Sequence, residues 1–363
     1  MRKVKFFGKL PDPFKNEDGT RMSKEEWFAK KNEIREKIVD IEYGGMPPKP
    51  EFLEVDKINE GAGGSTSTWY KIKAGKKDCY VVFNLEIMKN FTDDKKYPVL
   101  LTGDACYSNL ESDTMMEAVN RGYVVVKFNR LDFANDTKER KGRLYEVYPE
   151  YPDFTAISAW AWGYMVCMDV FEKLSFIDET EVGITGHSRG GKTVMLAACM
   201  DERIKYVCPN NSGCHGAVSH RCYVTGVGRD NVTERISDMV KHFPTWMGPK
   251  LWEYIDKEEE LPYDMHYFGA MIAPRYYLQC EGMQDYWINP IGAWQNFMAV
   301  KECYRYLGYE DNAGAWFRHG EHRHKYPDFV QFLDFMDRVR EQKPLAEHLK
   351  INPYPEIEKN FDW

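Results

Sequence analysis

The sequence predicts an α/β protein: a mainly parallel central sheet with helices on both faces, in three layers. Short runs rich in β-branched and aromatic residues alternate with stretches of helical length over most of the chain, the pattern of strand–helix–strand crossovers. A Gly-x-Ser-x-Gly pattern falls between one such strand and its helix, in "TGHSRGGKT" (185–193). The 363 residues are 43% apolar and 29% charged, enough to bury one large core, and no repeat or low-complexity tract divides them.

Residues 1–50 read as an N-terminal arm packed on the core, and residues 51–363 as a single catalytic domain. The arm holds a polar turn, "NEDGT", and a helix, "SKEEWFAKKNEIREKIVDIEYG", with Ser23 as N-cap and Glu26 completing a capping box. Gly44, Gly45 and "MPPKPE" stop it. "CYVVFNLEI", "YPVLLTG" and "YVVVKFN" have the composition of buried strands. "FTAISAWAWGYMVCMDVFEKL" is apolar almost all round, so it reads as a buried helix. "EVGITG" is the next strand and "SRGGKTVMLAACM" the helix after it. After "YVCPNNSG" comes a polar insertion, about 221–264. "APRYYLQCEG" and "AWFRHG" are then strands, and "PIGAWQNFMAVKECYRYLG" and "YPDFVQFLDFMDRVREQ" helices. In such folds the loops at the carboxyl ends of the strands carry the chemistry.

A net charge of −8 argues against nucleic acid or an anionic membrane as partner. The N-terminus is basic but has no apolar run long enough for a signal peptide. No stretch approaches the ~20 apolar residues of a membrane span. As written the chain reads as cytoplasmic, and as secreted only if a leader was removed. The nine cysteines, scattered without a C-x-x-C pair, fit reduced thiols. Cys199, Cys208, Cys214 and Cys222 are close in sequence, but their spacing is not that of a zinc ribbon. No metal or cofactor is expected.

Ser188 sits where a buried strand turns into a helix, the context that separates a nucleophile from a serine that merely caps the helix. Gly186 and Gly190 let the turn close without a Cβ clash. A serine nucleophile needs a base and an orienting acid, which in this arrangement follow in the order Ser, acid, His. Asp285, just past the strand in "LQCEGMQDYW", is favoured over Glu281, which lies in the strand body. "WFRHGEHRHKYPDF" offers His319, His322 and His324. His322 is favoured because Gly320 can form the turn that aims its ring over the sheet, with His324 the alternative and His319 a surface residue. The same cluster with Asp328 has a metal-grip spacing, but the triad accounts for more of the chain.

Arg189 and Lys192 place two cations at the positive end of a helix dipole, an opposition of ~0.3–1 kcal/mol each. An oxyanion donor is worth about 2.7–4 kcal/mol in the barrier, so Arg189 reads as such a donor. Lys192, on the same helix face as Ser188, suits a polar or anionic substrate group.

These residues resemble the glucuronoyl esterase family (carbohydrate esterase family 15, bacterial type), of the α/β-hydrolase superfamily. Its nucleophile motif, Gly-Cys-Ser-Arg-x-Gly-Lys, stands here as Gly186-His187-Ser188-Arg189-Gly190-Gly191-Lys192. "LPDPFKNEDGTR", "EYGGMPPKPE", "SAWAWGYMVCMDVFE" and "LPYDMHYFGAMIAPR" are similar to other segments of the family, in its order. The resemblance implies metal-free hydrolysis of 4-O-methyl-glucuronoyl esters of xylan through an acyl-enzyme. Ser188 would be nucleophile, His322 base and Arg189 oxyanion donor. Lys192 would contact sugar hydroxyls, with Glu234 beside them, and Trp287 would line the uronate pocket. Two positions depart from the pattern: Asn211 stands where many members carry the acid, which leaves that duty to Asp285, and His187 replaces a cysteine. The partner is thus a small-molecule or oligosaccharide ester, and the oligomeric state is left open. An acetyl or other small-ester esterase, or a non-catalytic carbohydrate-binding relative, are the alternative readings.

Overall fold

A nine-stranded sheet forms the centre of the fold, in the order β11-β10-β8-β7-β5-β6-β4-β3-β2. The computed structural model describes residues 2–60, 67–91, 95–107, 110–227 and 232–363. Strands β5 (Tyr97–Thr102), β6 (Val124–Lys127), β7 (Ile177–His187), β8 (Tyr206–Asn210), β10 (Tyr276–Gly282) and β11 (Ala313–Arg318) run parallel to one another. An antiparallel meander, β2 (Phe52–Glu60), β3 (Ser67–Lys76) and β4 (Cys79–Met88), extends the sheet beyond β6.

Consecutive residues of the central strands feed two cores, because strand side chains alternate between faces. Val99, Leu101, Val124, Val126, Val207 and Tyr277 point into the larger core, which holds helices α4 (Ala156–Phe171), α5 (Arg189–Met200), α7 (His266–Ile272) and α8 (Pro290–Leu307). Leu100, Val125, Tyr206, Cys208, Leu278 and Cys280 point into the other core, against α2 (Ser112–Asn120) and α9 (Tyr326–Arg340). Strands wetted on neither face need no polar alternation, which is why they read as continuous apolar runs.

The β4 run reads as a fully buried strand, but the fold covers only one of its faces. Val81, Phe83, Leu85 and Ile87 are buried while Val82 is 42% exposed. The meander lies at the edge of the sheet, where one side meets solvent.

Helix α1 (Lys24–Tyr43) starts at Ser23 with a reciprocal capping box to Glu26 and ends on Gly44 at φ 69°. Its last turn carries Glu42 and Tyr43 into the interior. The sequence pattern gives no sign that β1 (Lys3–Phe6) pairs antiparallel with β9 (Cys222–Thr225), which ties the arm to the 221–264 segment. Arg221 and Asp264, at the two ends of that segment, form a buried ion pair at 3.2 Å. A short helix, α3 (Arg143–Val147), lies between β6 and α4, and another, α6 (Ile236–His242), lies within the 221–264 segment. Among the described residues, no helix is long and apolar enough to cross a membrane.

Candidate active site

The site forms where β7, β8, β10 and β11 end. Strand β7 stops at His187, and Ser188 takes φ 57° and ψ −120° before α5 begins at Arg189. That conformation costs a non-glycine residue ~1–3 kcal/mol, so the surroundings must enforce it. They do: Ser188 N–H donates to Asn210 O at 2.9 Å, and the turn is too tight for side chains on either side. A Cβ at Gly186 would lie 2.4 Å from Gly190 O, and one at Gly190 would lie 2.3 Å from Asp104 Oδ1. The half-buried Ser188 makes no side-chain hydrogen bond among the described residues, which leaves its Oγ free to react.

Asp285 follows β10 in a turn closed by its own N–H on Gly282 O at 3.0 Å. Its Oδ2 accepts from His322 Nδ1 at 2.5 Å and from Asn211 Nδ2 at 2.8 Å. Asn211, at φ 45°, is held by its N–H to Cys280 O at 2.9 Å and accepts from Arg318 at 3.4 Å. The amide at 211 therefore positions the carboxylate instead of replacing it. The acid and histidine loops are stitched together: Met283 N–H donates to Arg318 O at 2.9 Å and Gln284 N–H to Gly320 O at 3.1 Å. Gly320, at φ 117°, makes the turn that returns His322 over the sheet edge. The His322 ring centroid lies 4.4 Å from that of His187, the neighbour of Ser188.

The other candidates fall elsewhere. His324 is 2% exposed, its ring stacked on Phe329 at 3.8 Å, and burial pushes its pKa well down. It is a neutral core side chain, whereas His319 is exposed. Glu281 is fully buried; burial and the neighbouring Asp285 push its carboxyl well up. It accepts from Gln279 at 3.2 Å, its Oε2 is unpartnered, and it is neutral.

Arg189 pairs with Asp136, which also accepts from Tyr107 Oη and from Trp246 Nε1, each at 3.1 Å. The guanidinium lies 4.6 Å from the Trp246 ring, and its Nε and second terminal nitrogen make no hydrogen bond among the described residues. Lys192 is 2% exposed, and its ammonium donates to Ser212 O at 2.6 Å and Cys214 O at 2.5 Å. It lies 3.8 Å from Glu234 Oε2, which also accepts from Cys214 N–H at 2.8 Å. Glu234 N–H in turn donates to the carbonyl of the half-buried Trp287 at 2.8 Å. Lys192, Glu234 and Trp287 thus form one connected group, with the ammonium sunk beneath the surface.

Sequence reasoning missed the supports. Asp104, after β5, pairs with the fully buried Arg130 and accepts from His187 N–H at 2.7 Å. His187 Nδ1 meets Asn210 Oδ1 at 2.7 Å, and burial, with His322 beside it, lowers its pKa to about 3. The ring next to Ser188 is thus neutral. A signal for Asp104 existed: an acid two residues past a fully buried strand, at the edge where such folds do chemistry. Asp136 and Trp246 had none.

Residues 72–308 match the family model described as "Glucuronyl esterase, fungi". A 4-O-methyl-glucuronoyl methylesterase of Wolfiporia cocos is 28% identical over 344 residues, covering 91% of this chain and 80% of its own. One from Podospora anserina is 26% identical over 314 residues, 84% of this chain; the match spans 62% of that relative's length. Among solved structures, a carbohydrate esterase family 15 glucuronoyl esterase from Caldicellulosiruptor kristjansonii superposes with a TM-score of 0.79 at 28% identity, covering 96% of each chain.

Proposed function

The chain belongs to the glucuronyl esterase family, carboxylic-ester hydrolases of the α/β-hydrolase fold, and we propose that Ser188, His322 and Asp285 are its catalytic triad, acting on glucuronoyl esters of xylan-derived saccharides. The observation that carries this reading is the 2.5 Å contact from His322 Nδ1 to Asp285, beside the strained turn that exposes Ser188.

A carboxylate can only accept, so the His322 proton sits on Nδ1 and Nε2 is the base. Nε2 takes the Ser188 proton as Oγ attacks the ester carbonyl, and returns it to the leaving alcohol. Water then attacks the acyl-enzyme by the same route. The Arg189 backbone N–H, in the first turn of α5 without an intrahelical acceptor, and its unpaired guanidinium N–H groups serve the oxyanion. Asp136 and Trp246 fix that guanidinium before substrate arrives. Lys192 and Glu234 form the polar floor for sugar hydroxyls, with Trp287 as the wall of the uronate pocket. Residues 51–363 act as the catalytic domain, with 1–50 as an arm that braces the 221–264 segment.

The test is hydrolysis of benzyl glucuronate beside 4-nitrophenyl acetate, with Ser188→Ala as control. Preference for the glucuronate, abolished in the control, is expected. Turnover of acetate alone would retire the uronate pocket while keeping the triad, and turnover of neither would retire both.

A further inference from the structure

A second polar cluster lies in the interior, outside the triad. Glu42, Cys214, His215 and His220 are each at most 4% exposed. Glu42 Oε1 meets His215 Nδ1 at 2.5 Å, and both its oxygens lie 3.2 Å from His220 Nε2. Oε2 also accepts from Tyr263 Oη at 2.5 Å. On the far side of the imidazoles is Cys214: its Sγ is 3.4 Å from His220 Nδ1. One donor atom from each of Cys214, His215 and His220 lies within 4.8 Å of the others. His215 is held at φ 64°, and its buried Nε2 has no hydrogen-bond partner.

Counting protons exposes the imbalance. A carboxylate is acceptor-only, so both rings keep a proton on the nitrogen facing Glu42. Each neutral ring then turns a lone pair away from Glu42, while Cys214 has a single S–H, which His220 Nδ1 takes. His215 Nε2 is left a buried acceptor with nothing to accept, its desolvation uncompensated. A cation in place of the thiol proton satisfies all three donors at once.

We propose that Cys214, His215 and His220 bind a zinc ion, with Glu42 as the carboxylate that orients both imidazoles. Zn–S near ~2.3 Å and Zn–N near ~2.0–2.1 Å, at a tetrahedral angle, set sulfur and nitrogen about 3.5 Å apart. The observed 3.4 Å from Cys214 Sγ to His220 Nδ1 fits that edge. A histidine ligand whose other nitrogen bonds a carboxylate is the recurrent outer arrangement of zinc sites. The ion's role is structural. It joins the end of α1, through Glu42, to the loop whose Cys214 carbonyl binds Lys192 and whose Cys214 N–H binds Glu234.

The test is metal analysis of the full chain, purified without metal affinity from cells grown with zinc, and in parallel with cobalt. About one equivalent per chain is expected, with a thiolate-to-cobalt charge-transfer band in the near ultraviolet. Cys214→Ser should lose the band and the metal, and Glu42→Gln should weaken zinc about 10–100-fold against a competing chelator. Folded wild-type chain lacking metal from both media would overturn the proposal. Metal retained in Cys214→Ser would overturn it too. If that variant fails to fold, the wild-type cobalt spectrum decides.

Discussion

Two carboxylate–imidazole groups lie in this molecule, built from the same chemistry and put to opposite use. In one, Asp285 holds His322, whose side chain is 40% exposed on a loop. In the other, Glu42 holds His215 and His220 with no exposure at all. The open pair leaves His322 Nε2 without a hydrogen-bond partner among the described residues, its ring 4.4 Å from that of His187. The sealed group has every oxygen of its carboxylate bonded and cannot exchange its protons with a substrate. If His322 and Asp285 act as proposed, what separates the catalytic pair from the structural one is access and the identity of the third partner, not the hydrogen bond itself.

Asp285→Asn carries the largest expected effect, because an amide presents its N–H to His322 and selects the wrong tautomer. Ester turnover should drop by ~10⁴-fold while the urea midpoint barely moves. A drop of less than tenfold would mean that another carboxylate orients His322.

Glu42→Gln should do the reverse. Removing the charge from a buried network costs about 3–5 kcal/mol of folding stability, seen in equilibrium urea unfolding. Turnover per folded molecule should stay within about tenfold. Stability equal to wild type would show that the sealed group holds nothing together.

Arg189→Met should slow turnover by about 10²–10³-fold with little change in KM, as loss of one oxyanion donor does. An effect confined to KM would place the guanidinium on ground-state substrate instead.

Acid should weaken the fold through its neutral histidines. His187 is lowered to about 3 by burial and by His322, and His324 is pushed well down by burial. In the unfolded chain both take up protons below about 6.5, so there the unfolded state binds more protons and stability falls with pH. The slope is at most about 1.4 kcal/mol per pH unit for each ring. Urea midpoints between about pH 7 and 5 should show a shallower acid slope for His187→Gln than for wild type. Equal slopes would remove His187 as a source.

Glu281→Gln should matter least. The carboxyl is already neutral and accepts from Gln279, so an amide of the same shape should change stability by less than about 1 kcal/mol and leave turnover intact. A tenfold loss would make Glu281, not Asp285, the acid that counts.

Much of this was legible in the chain itself. The strands with both faces covered, β5 to β8 and β10, are continuous apolar runs, so their order and the helices between them follow from composition. Ser188, with Gly186 and Gly190, is legible because the turn's steric demand is local: three residues and their own backbone. So is the capping box of α1. The order Ser, acid, His narrowed the partners to Asp285 or Glu281 and to a cluster of three histidines.

Tertiary structure decided what depends on neighbours far apart in sequence. It ties His322 to Asp285, stacks His324 on Phe329 and keeps Glu281 neutral, choices set by burial, which spacing does not encode. It pairs β1 with β9, a contact more than 200 residues long. It also supplies the counter-charges at the start of α5. Asp136 meets Arg189 from the loop after β6, and Glu234 meets Lys192 from the 221–264 segment. Local periodicity reports which face of an element is dry, because that is a property of the element. Which charge meets which is a property of the packed whole, and two cations at a helix N-terminus are tolerable only because the fold brings two carboxylates to them.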